Sequence, residues 1–153
     1  MKFMATLTDL DPDLVREVES SCICLRVQRA SRAVGRRFDK AFRGLDLNNW
    51  QFTLLTSLAI IDQSSVNTLA RELAMDRTTM TRNLRVLERR GLLAINPDAR
   101  DGRVKRVSLT AQGRTLLAQA IERWREVNLA VRDDVPPATL PAMWQALEAI
   151  GRS

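Results

Sequence analysis

Two amphipathic helical segments follow one another between Val66 and Arg90 with almost no chain between them, and this constrains the fold more than any other feature of the sequence. Val66, Leu69, Ala70, Leu73 and Ala74 recur at the i, i+3, i+4, i+7 and i+8 spacing of one helix face. Met75 and Asp76 are all that follows before the next helical pattern, 77–90. Asp76 is a natural N-cap there, because its carboxylate can accept first-turn backbone N–H groups. Gly91 ends that helix, since glycine accepts the left-handed conformation that closes a helix. Two short helices joined by a tight turn form a helix-turn-helix, whose second helix is built to lie in a major groove.

That second helix has two faces at 100° per residue. Met80, Leu84 and Leu87 fall on one side and anchor it to a core. Thr78, Thr81, Arg82, Arg85 and Arg89 cluster on the other. Threonine methyls can touch thymine methyls, and arginine can fork onto guanine O6 and N7. Glu88 interrupts the basic face, so base contacts should concentrate between Thr78 and Arg85. An ordinary amphipathic helix with solvated arginines has the same pattern, so the flanking chain matters.

Residues 92–109 change character. Leu92, Leu93, Ala94 and Ile95 form a short apolar run. Residues 96–103 carry turn chemistry, and 104–109 alternate with β-branched residues. This predicts a two-stranded hairpin with Arg100 and Arg103 at its tip. Such arginines can reach a narrow minor groove, with Asp98 and Asp101 orienting them; a turn of solvated charges is the alternative.

The rest of the chain is helical in period. A long helix is expected over 12–43, interrupted near its start, with Val15, Val18, Cys22, Leu25, Ala33, Phe38 and Phe42 along its apolar side and Gly44 ending it. A helix over 48–61 should bury Trp50, Leu54, Leu55, Leu58 and Ile61, and residues 62–65 read as a polar turn. Thr110 opens a helix reaching about Arg132, in which Leu117, Ala120, Trp124, Val127 and Val131 make a heptad seam. Pro136 and Pro137 break the chain before a last helix with Leu140, Met143, Trp144 and Leu147. The expected fold is mainly α with a small β-hairpin. The seam and the last stripe call for a second copy of the chain, although packing within one subunit would also cover them.

Charge agrees with a polyanionic partner. The 153 residues carry 24 Lys and Arg against 18 Asp and Glu, a net charge of +6. There is no histidine, which excludes a His metal ligand and a Ser-His-Asp triad, and no cofactor or metal is expected. No Gly-rich phosphate loop or nucleophile–base pair is visible, so an enzyme is not expected. The two cysteines, Cys22 and Cys24, fit a reducing compartment. With no signal peptide and no membrane span in the sequence, a cytoplasmic location is expected.

Leu69-Ala70-Arg71-Glu72-Leu73, Asp76-Arg77-Thr78-Thr79-Met80-Thr81-Arg82 and Leu87-Glu88-Arg89-Arg90-Gly91-Leu92 resemble the helix-turn-helix of the MarR family of transcription regulators. Asp98-Ala99-Arg100-Asp101-Gly102-Arg103 and Leu109-Thr110-Ala111-Gln112-Gly113 resemble its wing and following helix. Leu45-Asp46-Leu47 and Trp50-Gln51-Phe52-Thr53-Leu54-Leu55 resemble its upstream helix. The resemblance implies a homodimer joined through 1–46 and 110–153, with 47–109 as the winged helix-turn-helix. It implies binding of double-stranded DNA at a pseudo-palindromic operator, with repression as the family default and release by a small-molecule effector. The candidate DNA-binding residues are Arg77, Thr78, Thr79, Thr81, Arg82, Arg85, Arg100 and Arg103.

Three residues are candidates for the regulatory signal. Trp50 could stack on an aromatic effector, and Arg29 could grip a carboxylate. Cys24 lies where the peroxide-sensing branch of the family keeps its reactive cysteine, which makes a redox-sensing regulator the alternative. That branch uses tyrosines around the sulfur, and this chain has none. A protein-interaction module on the same scaffold, without DNA readout, is a further alternative.

Overall fold

The computed structural model describes residues 10–151 and divides the chain into two compact units, one ending at Arg36 and one beginning at Arg37. In the first unit, α1 spans Pro12–Ser21, capped by the Asp11 carboxylate on the Asp13 N–H at 2.9 Å. Cys22 has extended backbone and breaks the helix, and α2 follows at Ile23–Phe42, crossing into the second unit. Leu14, Val15 and Val18 of α1 are exposed rather than packed.

The second unit holds the core. Phe42 stacks on Phe52 with ring centroids 4.7 Å apart, which pins the end of α2 to α3, Asn49–Ile60. A capping box starts α3: the Gln51 N–H donates to Asn48 Oδ1 at 2.8 Å, and the Asn48 N–H to Gln51 Oε1 at 3.1 Å. Helix α3 buries Phe52, Leu54, Leu55 and Leu58. The expectation that Trp50 and Ile61 share this buried face is corrected, since both are exposed, Trp50 by 55%. The apolar residues of α3 are spread around its axis, so periodicity alone could not select the packed side.

Residues 62–65 are not only a turn. Ser64–Ser65 form a short strand β1, which leads into α4 at Val66–Glu72. The next helix, α5, spans Arg77–Arg89, and strands β2 (Leu93–Pro97) and β3 (Lys105–Leu109) make the hairpin. The sheet therefore has three antiparallel strands in the order β1-β3-β2, with Leu93 opposite Leu109 and Ser64 opposite Val107. Pro97 lies on the edge strand β2, where its missing N–H is tolerated. Leu69, Met80, Leu84, Leu87, Leu92 and Val107 are fully buried and join α4, α5 and the hairpin into one core. This is a winged helix-turn-helix.

Helix α6 spans Ala111–Asp133, and α7 spans Leu140–Gly151 with Pro141 in its first turn. Leu117 and Ala120 of the α6 seam are buried, Trp124, Val127 and Val131 are half-buried, and Leu129, Trp144 and Leu147 are exposed.

Gly44 also departs from expectation. Helix α2 ends at Phe42, a 3-10 turn covers Arg43–Leu45, and the left-handed residue is Asp46 at φ 52°. Gly44 instead borders the Arg123 guanidinium: a Cβ there would lie 2.8 Å from Arg123 Nη1, and that side-chain end would have to shift to admit it. At the end of α5, Gly91 does adopt the left-handed conformation, at φ 69°.

Candidate nucleic-acid interface

The Asp76 carboxylate caps α5, accepting the Thr79 N–H at 2.8 Å. The Thr79 hydroxyl and N–H hold the Asp76 carboxyl below its ordinary range. With its start fixed and Met80, Leu84 and Leu87 wholly buried, α5 has one rotational setting. That setting leaves Arg77, Thr78, Arg82, Arg85 and Arg89 exposed. Thr78, Arg82 and Arg89 border an open hollow of about 460 Å³ along the helix, together with Arg77, Thr81 and Arg85.

A second cleft, of about 430 Å³, separates α5 from the hairpin. Arg77, Thr81 and Arg85 line it from the helix, and Arg103 and Lys105 from the hairpin. Four cationic side chains thus meet across one groove, tempered by Glu88 on the same wall. Such a surface attracts a polyanion and offers hydroxyl and guanidinium donors at its centre.

The hairpin tip is organised by its acids. Asp98 Oδ1 accepts the backbone N–H groups of Arg100 at 2.9 Å and Asp101 at 3.1 Å, and Asp101 Oδ1 accepts that of Arg103 at 3.0 Å. The acids therefore set the backbone path that carries the arginines. The other Asp98 oxygen accepts Arg106 Nε at 2.6 Å, and Arg106 Nη1 reaches the Gln63 carbonyl at 3.3 Å. The hydrogen bond from Arg106, with those from the Arg100 and Asp101 amides, lowers the Asp98 carboxyl to about 2.

The fold is shared with solved proteins. The model of the MarR family matches residues 45–104. The chain also superposes on the M. tuberculosis transcriptional regulator MosR, solved in complex with DNA, at 36% identity and a TM-score of 0.78, covering 86% of this chain and 95% of that one. The chain belongs to the MarR family. It shares that fold with an E. coli MarR mutant complexed with operator DNA, at 18% identity and a TM-score of 0.81 over 88% of this chain and 96% of that one. BpsR of Bordetella bronchiseptica matches at 23% identity with the same coverage and TM-score. No curated protein matches the sequence. As a MarR-family protein the chain is a DNA-binding transcriptional regulator and not an enzyme.

Within this MarR-family winged helix, Arg77, Thr81, Arg85 and Arg103 come together in one cleft. Thr79 lines neither hollow and serves the Asp76 cap, and Arg100 stands exposed at the wing tip. Two residues were missed by sequence reasoning. Lys105 lines the cleft, and its place on the same face of β3 as Val107 and Leu109, the face turned toward the helices, is the signal that could have found it. Arg106 is the wing's brace, and its partners Asp98 and Gln63 are distant enough in sequence to leave no local signal.

Of the regulatory candidates, Cys24 and Arg29 are exposed on α2, and Trp50 is exposed on α3. Neither cysteine is in a disulfide. Among the described residues, no group of three or more His, Cys, Asp or Glu is placed to hold a metal, and no helix is long and apolar enough to cross a membrane.

Proposed function

We propose that the protein is a homodimeric repressor that reads a pseudo-palindromic operator with α5 and the wing and is released by a small-molecule effector. One observation carries the reading: Arg77, Thr81 and Arg85 of α5 face Arg103 and Lys105 of the wing across a single cationic cleft. In this assignment Thr78, Thr81, Arg82 and Arg85 approach base edges, while Arg100 and Arg103 reach the adjacent minor groove. Residues 47–109 form the DNA-reading part, and 1–46 with 110–153 form the dimer. Exposed Leu14, Val15 and Val18 at one end of the chain, and Leu129, Trp144 and Leu147 at the other, supply apolar surface for a partner subunit. Two-fold pairing would present two α5 helices to half-sites about one helical turn apart.

An aromatic or carboxylate effector suits the exposed Trp50 and Arg29. BpsR gives this class support, since its DNA binding is regulated by 6-hydroxynicotinic acid, an aromatic acid.

The test is a titration of purified protein against its own upstream DNA with random DNA as competitor. A complex that survives competitor and weakens steeply with salt is expected, as phosphate contacts release counterions. A weak complex with a flat salt response would favour a protein-interaction module instead.

The second reading is a cysteine-based redox switch. It is favoured by the placement of Cys22 at the break before α2 and of Cys24 in the first turn of α2. The Leu25 N–H donates to Cys22 Sγ at 3.4 Å, so this sulfur caps the helix, and exposed Cys24 accepts Gln28 Nε2 at 3.3 Å. Peroxide should then release DNA from the wild type and not from Cys24→Ser. Equal release from both would remove Cys24 as the sensor.

A further inference from the structure

Away from the cationic cleft, two arginines from different helices converge on one short piece of backbone. Residues 41–46 carry α2 into α3 through the 3-10 turn and the left-handed Asp46. Carbonyls at such a helix end lack intrahelical partners and must find others. Arg90, immediately after α5, donates Nη1 to the Asp46 carbonyl at 2.6 Å and Nη2 to the Leu45 carbonyl at 3.3 Å. Arg123 of α6 donates Nη1 to the Ala41 carbonyl at 3.1 Å, in the space that Gly44 leaves open.

The Arg90 side chain is 26% exposed, whereas the Asp46 carboxylate 3.7 Å away is 95% exposed. An ion pair with so exposed a partner fixes little. What fixes the guanidinium is its planar fork onto two carbonyls, which a lysine ammonium cannot reproduce. The fork holds the C-terminal end of α5 to the 41–46 turn, and Arg123 holds the same turn to α6.

We infer that Arg90 is a positioning residue for DNA readout: with the rotation of α5 set by its buried face, the fork sets the tilt of its C-terminal end on the rest of the domain. The inference rests on the reading of α5 as the DNA-reading helix. Helix α5 moves as a rigid rod, so a change at Arg90 is carried to Arg82 and Arg85. Arg90 itself is committed to protein carbonyls, so its loss should cost sequence discrimination and not phosphate attraction. A misplacement of about 1 Å is enough to spoil bidentate contacts to base edges.

The experiment compares wild type with Arg90→Met and Arg90→Lys in the full chain, in two arms. In the free protein, amide hydrogen exchange should quicken about tenfold or more at Asp46, Leu47, Gly91 and Leu92 in both variants, with β2 and β3 unchanged. In the second arm, affinity for a duplex of the chain's own upstream region should fall about tenfold or more in both variants, while random-DNA affinity and the salt slope stay at wild-type values. Unchanged exchange would overturn the inference without reference to DNA. Equal losses on both DNAs with a shallower salt slope would make Arg90 a phosphate contact. Full affinity in Arg90→Lys would show that charge, not the fork, matters. A wild type that prefers no sequence would overturn the reading of α5 and this role together, and the exchange arm would still decide whether the fork holds the turn.

Discussion

Gly113→Ala should lower the thermal midpoint by about 6–12 °C, because overpacking a closed contact costs about 3 kcal/mol and each kcal/mol shifts a chain of this size by about 2–4 °C. Gly113 is buried in the first turn of α6. A Cβ on it would sit 1.9 Å from the Leu92 carbonyl oxygen and 2.9 Å from the Leu92 carbonyl carbon. These are backbone atoms at the root of the wing, and they cannot rotate aside as a side-chain end would. The Leu92 oxygen is also held by the Thr110 N–H at 3.2 Å, and the Thr110 hydroxyl donates to the Gly91 carbonyl at 2.6 Å while accepting the Gly113 N–H at 3.0 Å. Helix α6 would have to lift from the wing root, and that whole set of bonds would open. Differential scanning calorimetry measures the shift. A midpoint within about 1 °C of wild type would mean that α6 does not approach Leu92 this closely.

Arg82→Ala and Arg85→Ala should each weaken operator binding by about 2–6 kcal/mol, because a base-reading arginine is worth about 1–3 kcal/mol and the proposed homodimer would lose it at both half-sites. That corresponds to roughly 30-fold to 20,000-fold in dissociation constant. Both side chains are exposed on a helix whose opposite face is buried, so little stability should be lost with them. Specific and random DNA separate the roles. A reader loses affinity on the operator alone and relaxes the preference at one base position. A phosphate contact loses on both and reduces the salt slope by about 1. Wild-type operator affinity in both variants would remove these arginines from the interface.

Some of this architecture is legible in the sequence because its physics is local. Asp76 and Thr110 announce their helices because a capping side chain and the N–H it serves are three residues apart. Gly91 marks the end of α5 for a similar reason, as its φ of 69° favours glycine whatever surrounds it. The two faces of α5 follow from a 3.6-residue period that separates Met80, Leu84 and Leu87 from the arginines.

Where the period is blurred, inference failed. Helical spacing puts Trp50 inward on α3, and the structure leaves it exposed while Phe52 takes the inner position against Phe42. Ser64 and Ser65 read as turn because two polar residues carry no alternation; only pairing with Arg106 and Val107 makes them a strand. Glycine chemistry makes Gly44 a conformational signal, yet the left-handed residue is Asp46, and what Gly44 borders is the guanidinium of Arg123, 79 positions along the chain.

The arginines show the division most clearly. By itself the sequence determined that there are many of them, that one face of α5 carries several, and that two stand in the hairpin turn, because composition and period are properties of neighbours along the chain. Which arginines remain free to meet DNA was decided only by tertiary structure. Arg90 and Arg123 are turned to backbone carbonyls and Arg106 to Asp98, while Arg82 and Arg85 stay open. A guanidinium finds its partner by distance in space, and that distance exists only once the helices have packed.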